Sequence, residues 1–455
     1  MANEINVREL VLETLTDIDR GNKNASEAIS GTLRNYQYMS KQDRSFYTRL
    51  CEGTLEYRIQ LDYIINQVSK TPVNKCKPYI RNLLRMSLYQ IRYMDAVPAE
   101  AACNEAVKLA KKKGFQQLSG FVNGVLRNLV RKQDIIEFPK RQENLPAYLS
   151  ITYSMPEWLV QQFLSWYSEE LVEQLLQAFL KEAPLTVRVN LTRTDKESVR
   201  EALLEEGIKV EDGSYTENTL RLSDINYMKR IKPFRQGLIT VQDESSVLQG
   251  CLLQPKSGDL ILDICAAPGG KSLHAAEKNS SGMVIARDLS EAKTERIEEN
   301  IERMQYENVK VEVWDALKPD KSLLHQVDIV MADVPCSGLG VIGRKPDIKY
   351  HVNKEQLSEL QDLQRNILKV ATQYVKKGGY FVYSTCTINP GENEEQATWL
   401  EQQGFTPVDI TALLPEKLVV QVKEQPGTCL EKGYCTLLPG QQDCDGFFFA
   451  LFRME

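Results

Sequence analysis

Two cysteines, four aspartates and one glycine-rich run are the residues of this 455-residue chain whose types and spacing could do chemistry. Cys336 stands in Asp333-Val334-Pro335-Cys336-Ser337-Gly338, and Cys386 in Ser384-Thr385-Cys386-Thr387. Each follows an apolar, β-prone run and sits in a tight polar turn. A thiolate there is a soft nucleophile suited to adding to an electron-poor carbon. A single cysteine is more often a small buried hydrophobe, and that reading is kept for the other eight. Cys429, Cys435 and Cys444 have no zinc-site spacing, so no metal is expected.

The glycine-rich run is Asp263-Ile264-Cys265-Ala266-Ala267-Pro268-Gly269-Gly270-Lys271-Ser272. Small residues between a strand end and a helix start let a ligand approach the backbone, and the helix start offers free N–H groups. Two chemistries fit. One is a phosphate-binding loop of the form G-x-x-x-x-G-K-[ST], missed by one residue because Cys265 stands where the first glycine belongs. The other is a nucleoside cofactor. Asp263, Asp288, Asp315 and Asp333 fall at the ends of successive expected strands. Four carboxylates would repel a polyphosphate, whereas they suit a cationic or neutral cofactor such as S-adenosylmethionine. Asp288 could accept from the ribose hydroxyls and Asp315 from adenine. A strand-end aspartate can also merely cap the next helix.

Elements must bring these turns together. From residue 258 on, apolar runs at 260–264, 284–286, 309–313, 327–332 and 379–384 alternate with amphipathic stretches at about 271–279, 290–304 and 354–376. That is the pattern of a doubly wound parallel sheet, whose strand ends open on one crevice. A last strand is expected over 446–452. Residues 185–191 alternate with period two, a helix is expected at 195–206, and short strands near 208–211, 219–222 and 238–241, giving a small α+β module. Residues 1–135 read as helices. Ile80, Leu83, Leu84, Leu88 and Ile91 follow the 3.6-residue period, as do Leu118, Phe121, Val122, Val125, Leu126 and Leu129. Breaks fall at Gly21-Asn22-Lys23-Asn24, Thr71-Pro72-Val73-Asn74 and Asp95-Ala96-Val97-Pro98. The expected domains are a helical bundle over 1–140, an α+β module over 147–240, whose first stretch (147–182) is helical, and a Rossmann-like catalytic domain over 241–455.

The net charge of -6 hides an asymmetry. Residues 1–150 carry 23 Lys and Arg against 16 Asp and Glu, and the remainder carries 33 against 46. A basic helical third suggests a polyanion-holding part beside a part that does something else. No apolar run is long enough to span a bilayer. Met1-Ala2-Asn3-Glu4 opens no signal peptide. Ten cysteines without regular pairs fit reduced thiols, so a cytoplasmic protein is expected.

The cofactor loop, the Pro335-Cys336 turn and the Thr385-Cys386 turn together resemble the Sun family of RNA cytosine-C5 methyltransferases. The likeness reaches upstream through Thr240-Val241-Gln242-Asp243-Glu244-Ser245-Ser246. Arg44 with 50–55, Asn104-Glu105-Ala106-Val107 and Gly120-Phe121-Val122-Asn123-Gly124-Val125-Leu126-Arg127 resemble the NusB-like RNA-binding bundle. The resemblance implies a multidomain protein that methylates a cytosine of 16S rRNA. In it, Cys386 is the nucleophile at C6, Cys336 assists product release, and Asp333 contacts the cytosine edge. Lys271 and Lys345 are the candidate amines near the base. It implies S-adenosylmethionine held by Cys265, Ala266, Ala267, Pro268, Gly269, Gly270 and Lys271, with Asp288, Asp315 and Asp333. It also implies no membrane, no obligate protein partner and a monomer. A non-catalytic RNA-binding or antitermination protein and a P-loop ATPase remain the other readings.

Overall fold

The computed structural model describes residues 5–21, 24–132 and 136–455. Met1–Glu4, on which the signal-peptide reading rests, and Asn22 and Lys23 of the first break lie outside them. The described chain divides into two units, one of residues 1–180 with 344–351 and one of 181–343 with 352–455.

The first unit is helical. Its main elements include Val7–Asp19, Lys41–Glu56, Arg58–Val68, Pro78–Tyr93, Ala99–Lys112 and Ser119–Arg131. Sequence sets their starts. Asn6, Asn24 and Ser40 each accept a backbone N–H from the first turn of the helix that follows, and Pro78 supplies the fixed φ of a first helical position. The expected stripes close one core, in which Leu83, Leu84, Val122 and Leu126 are fully buried beside Leu12, Leu50 and Leu61.

Two further pieces join this unit. Helices Leu145–Thr152, Glu157–Trp166 and Glu169–Phe179, given from sequence to the α+β module, group with the bundle. The Gln60 amide explains part of this, donating to the carbonyls of Ile151 (3.0 Å) and Thr152 (2.9 Å). The second piece is Arg344–His351. Asp347 accepts from the Ala25 N–H, the Lys349 ammonium donates to the Glu56 carbonyl and the Tyr350 hydroxyl to that of Leu55. Burial pushes Lys349 down against the pull of Glu56, and burial pushes Glu56 up.

The second unit holds two sheets. The smaller comprises β1 (Leu185–Val189), β2 (Lys209–Asp212), β3 (Thr219–Ser223) and β4 (Ile239–Val241) in the order β2-β3-β1-β4. The larger comprises β5 (Leu260–Asp263), β6 (Met283–Asp288), β7 (Val309–Val313), β8 (Val327–Asp333), β9 (Val375–Thr385), β10 (Phe405–Pro407), β11 (Tyr434–Leu437) and β12 (Phe447–Met454). Its order is β10-β12-β9-β8-β5-β6-β7, with β11 on β12. The strands from β5 to β9 run parallel, and β12 and β10 are antiparallel additions. Strand order reverses between β5 and β8, which places a crevice beyond their carboxyl ends. Expected and observed strands agree closely. The exceptions are β10 and β11, which are not among the expected strands, and β9, which starts at Val375, where the expected helix over 354–376 has already ended at Ala371.

Buried polar contacts join the two sheets. The Glu244 carboxylate accepts from the N–H groups of Ser214, Tyr215 and Thr216. Arg188, fully buried on β1, donates to Gln242 and pairs with Glu277. The turn after β8 is set against the start of β12 by two glycines. The Gly340 N–H donates to the Cys386 carbonyl at 3.1 Å, and the Gly446 N–H to the Gly340 carbonyl at 2.9 Å. A Cβ at Gly340 would lie 2.1 Å from the Gly446 carbonyl oxygen.

Gly340→Ala should therefore destabilise the protein by about 1–3 kcal/mol, the usual cost of overpacking. Urea unfolding at equilibrium checks this, and an unchanged midpoint would mean that the two turns part without cost.

Candidate functional site

β8 and β9 are neighbours in register, with Asp333 opposite Ser384. The turns that follow them therefore leave the sheet side by side. Cys336 Sγ and Cys386 Sγ lie 3.1 Å apart, and the Cys386 N–H donates to Cys336 Sγ at 3.3 Å. The hydrogen bond with Cys386 pushes the Cys336 thiol well above its ordinary pKa, with burial and the charge of Glu392 adding to it. Either thiol of the pair can donate to the other.

The loop after β5 faces them. Gly269, with φ of +101°, turns the chain into helix Gly270–Lys278, a backbone conformation that only glycine adopts readily. Lys271 reaches from the first turn of that helix to Asp333 at 2.6 Å. Burial works against the charge on Lys271, but the Asp333 carboxylate outweighs it and raises the pKa, so the ammonium is retained. The other Asp333 oxygen accepts from the Ser384 hydroxyl at 2.9 Å. Asp333 is thereby aimed from both sides, beside the thiol turns.

Asp263 and Asp288 differ in role. Asp263 is buried, accepts from the Ser272 hydroxyl at 2.6 Å, and is pushed by burial up to about 7. Asp288 is buried too. One of its oxygens accepts the Ala267 N–H at 2.9 Å and the other the Leu289 N–H and the Lys293 ammonium. It therefore ties the cofactor loop to β6 and keeps one lone pair on Oδ2 for a ligand. Asp315 lies two residues beyond β7, with one oxygen accepting the Leu317 N–H at 3.0 Å. Lys345 belongs to the segment that groups with the helical unit.

A cavity of about 210 Å³ is lined by Asp243, Asp263, Asp333, Lys271 and the run Cys265–Pro268, with Gly270, Val241, Gln242 and Ser246. Asp243 and Asp333 face the Lys271 ammonium, with Asp263 pushed toward its neutral form, which leaves no positive surplus for a triphosphate. The absent side chain at Gly270 leaves the wall open toward Gln242, whose buried amide nitrogen has no hydrogen-bond partner. These features fit a nucleoside with a sulfonium and an ammonium group. A larger cavity is lined by Glu295, Glu298, Glu299 and Glu302, but it carries no group suited to the chemistry of the thiols.

Glu392, Gln364 and Gln242 were not singled out from sequence. The Thr240–Ser246 stretch drew notice only through its resemblance. Glu392 sits in a short turn after Asn389-Pro390, where a glutamate reads as solvated.

Comparison with known proteins adds three family matches. Residues 250–453 match the model for the 16S rRNA methyltransferase RsmB/F, residues 5–131 the NusB family, and residues 155–226 the ferredoxin-like domain of RsmF/B-like methyltransferases. The chain is 36% identical to the probable ribosomal RNA small subunit methyltransferase B of Bacillus subtilis (strain 168), over 99% of both chains. It is 32% identical to the ribosomal RNA small subunit methyltransferase B of Proteus mirabilis (strain HI4320), over 100% of both. Among solved structures it resembles PH0851 (TM-score 0.79, 23% identity, 99% of both chains). It also resembles NSun6 from Pyrococcus horikoshii with SFG (TM-score 0.58, 22% identity, 66% of this chain and 98% of that one). At those identities the two structures speak for the fold alone.

Asp263 yields a pH prediction. Its folded pKa of about 7 exceeds the roughly 3.9 of an unfolded aspartate. Its contribution to stability is therefore full below pH ~4 and is lost as pH rises through about 7. Asp263→Asn should flatten the stability curve over that window, as read by urea unfolding at several pH values. A variant curve parallel to the native one would show that Asp263 does not titrate there.

Proposed function

The chain belongs to the 16S rRNA methyltransferase RsmB/F family, and from that premise we propose that it methylates C5 of a cytosine in small-subunit rRNA through a covalent bond from Cys386 to C6. The observation that carries this reading is the pair of thiols 3.1 Å apart beside the Lys271–Asp333 ion pair. A methyltransferase acting on oxygen or on an exocyclic nitrogen has no use for two thiols at its strand ends.

Cytosine C5 is too weak a nucleophile to take a methyl group unaided. Addition of the Cys386 thiolate at C6 gives an enamine-like intermediate whose C5 carries the electron pair. Residues 265–271, Asp288 and Asp315 would hold S-adenosylmethionine, which would supply an electrophilic methyl group. Loss of the C5 proton to solvent water then rebuilds the C5–C6 double bond, and the Cys386–C6 bond breaks with its electron pair leaving on the Cys386 sulfur. Cys336 assists this release from its place against Cys386. Asp333, fixed by Lys271 and Ser384, is the acceptor for the cytosine N4–H and so orients the base. Lys271 and Lys345 are the candidate amines near the base, and Lys271 is the one that pairs with Asp333. The target nucleotide must be unpaired or flipped out for both faces of its ring to be reached. The NusB-like bundle, with its basic surplus, suits the phosphate backbone.

The ATPase reading loses to the carboxylates lining the cavity, and the purely RNA-binding reading to the methyltransferase relatives that match the chain end to end.

Two experiments test the assignment. Asp288→Ala removes both the ligand contact and the hold on Ala267, so binding of S-adenosylmethionine should weaken by about 1.5–3 kcal/mol in calorimetry, the range for hydrogen bonds to a charged group. Unaltered affinity would remove Asp288 from the site. Cys386→Ala should abolish methyl transfer and spare donor binding, while Cys336→Ala should trap a protein–RNA adduct that runs slowly on a denaturing gel and disappears with protease. Turnover by Cys386→Ala with Cys336→Ala dead would exchange the two roles. Normal turnover by Cys336→Ala with no adduct would reduce it to a packing residue.

A further inference from the structure

We propose that Glu392 is the positioning residue of the thiol pair, its carboxylate clamping the turn that carries Cys336 onto the turn that carries Cys386. This rests on the reading above that the two cysteines act together. The Glu392 side chain is fully buried and accepts four hydrogen bonds. Oε1 accepts from the Ser337 hydroxyl (2.5 Å) and the Asn389 amide (2.9 Å). Oε2 accepts from the Ser337 N–H (2.9 Å) and the Gln364 amide (2.9 Å). Four donors use the acceptor sites of one carboxylate, so neither a ligand nor water has a place on it.

The two ends of Glu392 are tied to different thiols. Its backbone carbonyl accepts from the Tyr383 hydroxyl at 2.5 Å, on β9 three residues before Cys386. Its side chain holds Ser337, the residue after Cys336. Gln364 uses its other amide hydrogen on the Pro335 carbonyl at 2.9 Å, gripping the residue before Cys336. Ser337 and Thr387, each next to a thiol, meet through their hydroxyls at 2.7 Å. Both cysteines are thus bracketed by groups that converge on one buried carboxylate. That charge also helps keep Cys336 a thiol, after the larger effects of Cys386 and burial. Glu392 does not line the cofactor cavity, so its effect should fall on the thiols and not on donor binding.

Glu392→Gln preserves shape but turns an NH2 toward groups that are themselves donors. Three readouts decide: donor affinity by calorimetry, kcat with KM for 16S rRNA, and the pH dependence of Cys336 alkylation by iodoacetamide, followed by peptide mapping. The proposal expects unchanged donor affinity, unchanged KM and kcat lower by about 10²-fold, the scale of a 1 Å misplacement. It also expects Cys336 alkylation to begin at lower pH, because a negative neighbour has gone. Ser337→Ala, which deletes one of the four donors, should move kcat and the alkylation profile in the same direction by less. A lowered melting temperature with native kcat and a native Cys336 profile would overturn the proposal and leave Glu392 a structural residue. Should Glu392→Gln not fold, native kcat and profile in Ser337→Ala overturn it equally. Failure of the underlying reading has a separate signature, native turnover by Cys386→Ala assayed alongside, which would also withdraw the clamp's purpose.

Discussion

Cys336 and Cys386 can meet only because Asp333 and Ser384 are opposite one another on neighbouring parallel strands. Parallel strands lie about 4.8 Å apart, so turns leaving two adjacent carboxyl ends start within reach of each other. A shift of one residue in β8 against β9 would turn Asp333 or Ser384 to the other face and part the thiols. Much of the second unit serves that register. Phe448, Phe449 and Phe452 of β12 are buried against β9 and its neighbours, and the Gly340–Gly446 approach fixes the Cys336 turn from outside.

Charge is arranged around the same point. Buried carboxylates are costly unless they are hydrogen-bonded or paired, and each one here is treated differently. Asp263 is pushed toward its neutral form, Asp333 is paired with Lys271, Asp288 is held by two backbone N–H groups and Lys293, and Glu392 is wrapped by four donors. Of these, Asp263 and Asp333 line the cavity, one pushed toward its neutral form and the other paired with Lys271, so neither leaves a bare charge in its wall.

The chemistry-bearing turns were legible in the sequence because each is short and follows an apolar run long enough to fix its place on the sheet. The expected strands at 260–264, 309–313 and 327–332 lie within a residue or so of those observed. What stayed hidden depends on residues far apart in the chain. Glu392 gains its meaning from Ser337 and Gln364, and a glutamate in a Pro-Gly turn carries no local sign of burial. Gln242 likewise depends on Arg188. Segment 344–351 reads as part of the catalytic domain, yet Lys349 and Tyr350 find their partners on helix Lys41–Glu56. Strands β10 and β11 pair only with β12, and no sequence pattern near them marks that pairing. No helix among the described residues is long and apolar enough to cross a membrane.

The central claim is that the paired thiols serve carbon methylation of cytosine. Its most direct test incubates the purified protein with unmodified 16S rRNA and S-adenosylmethionine labelled in the methyl group, digests the RNA to nucleosides and separates them by chromatography with mass detection. The account predicts that the label appears in 5-methylcytidine. Label in N4-methylcytidine, in a 2′-O-methylated nucleoside or in a purine would contradict it.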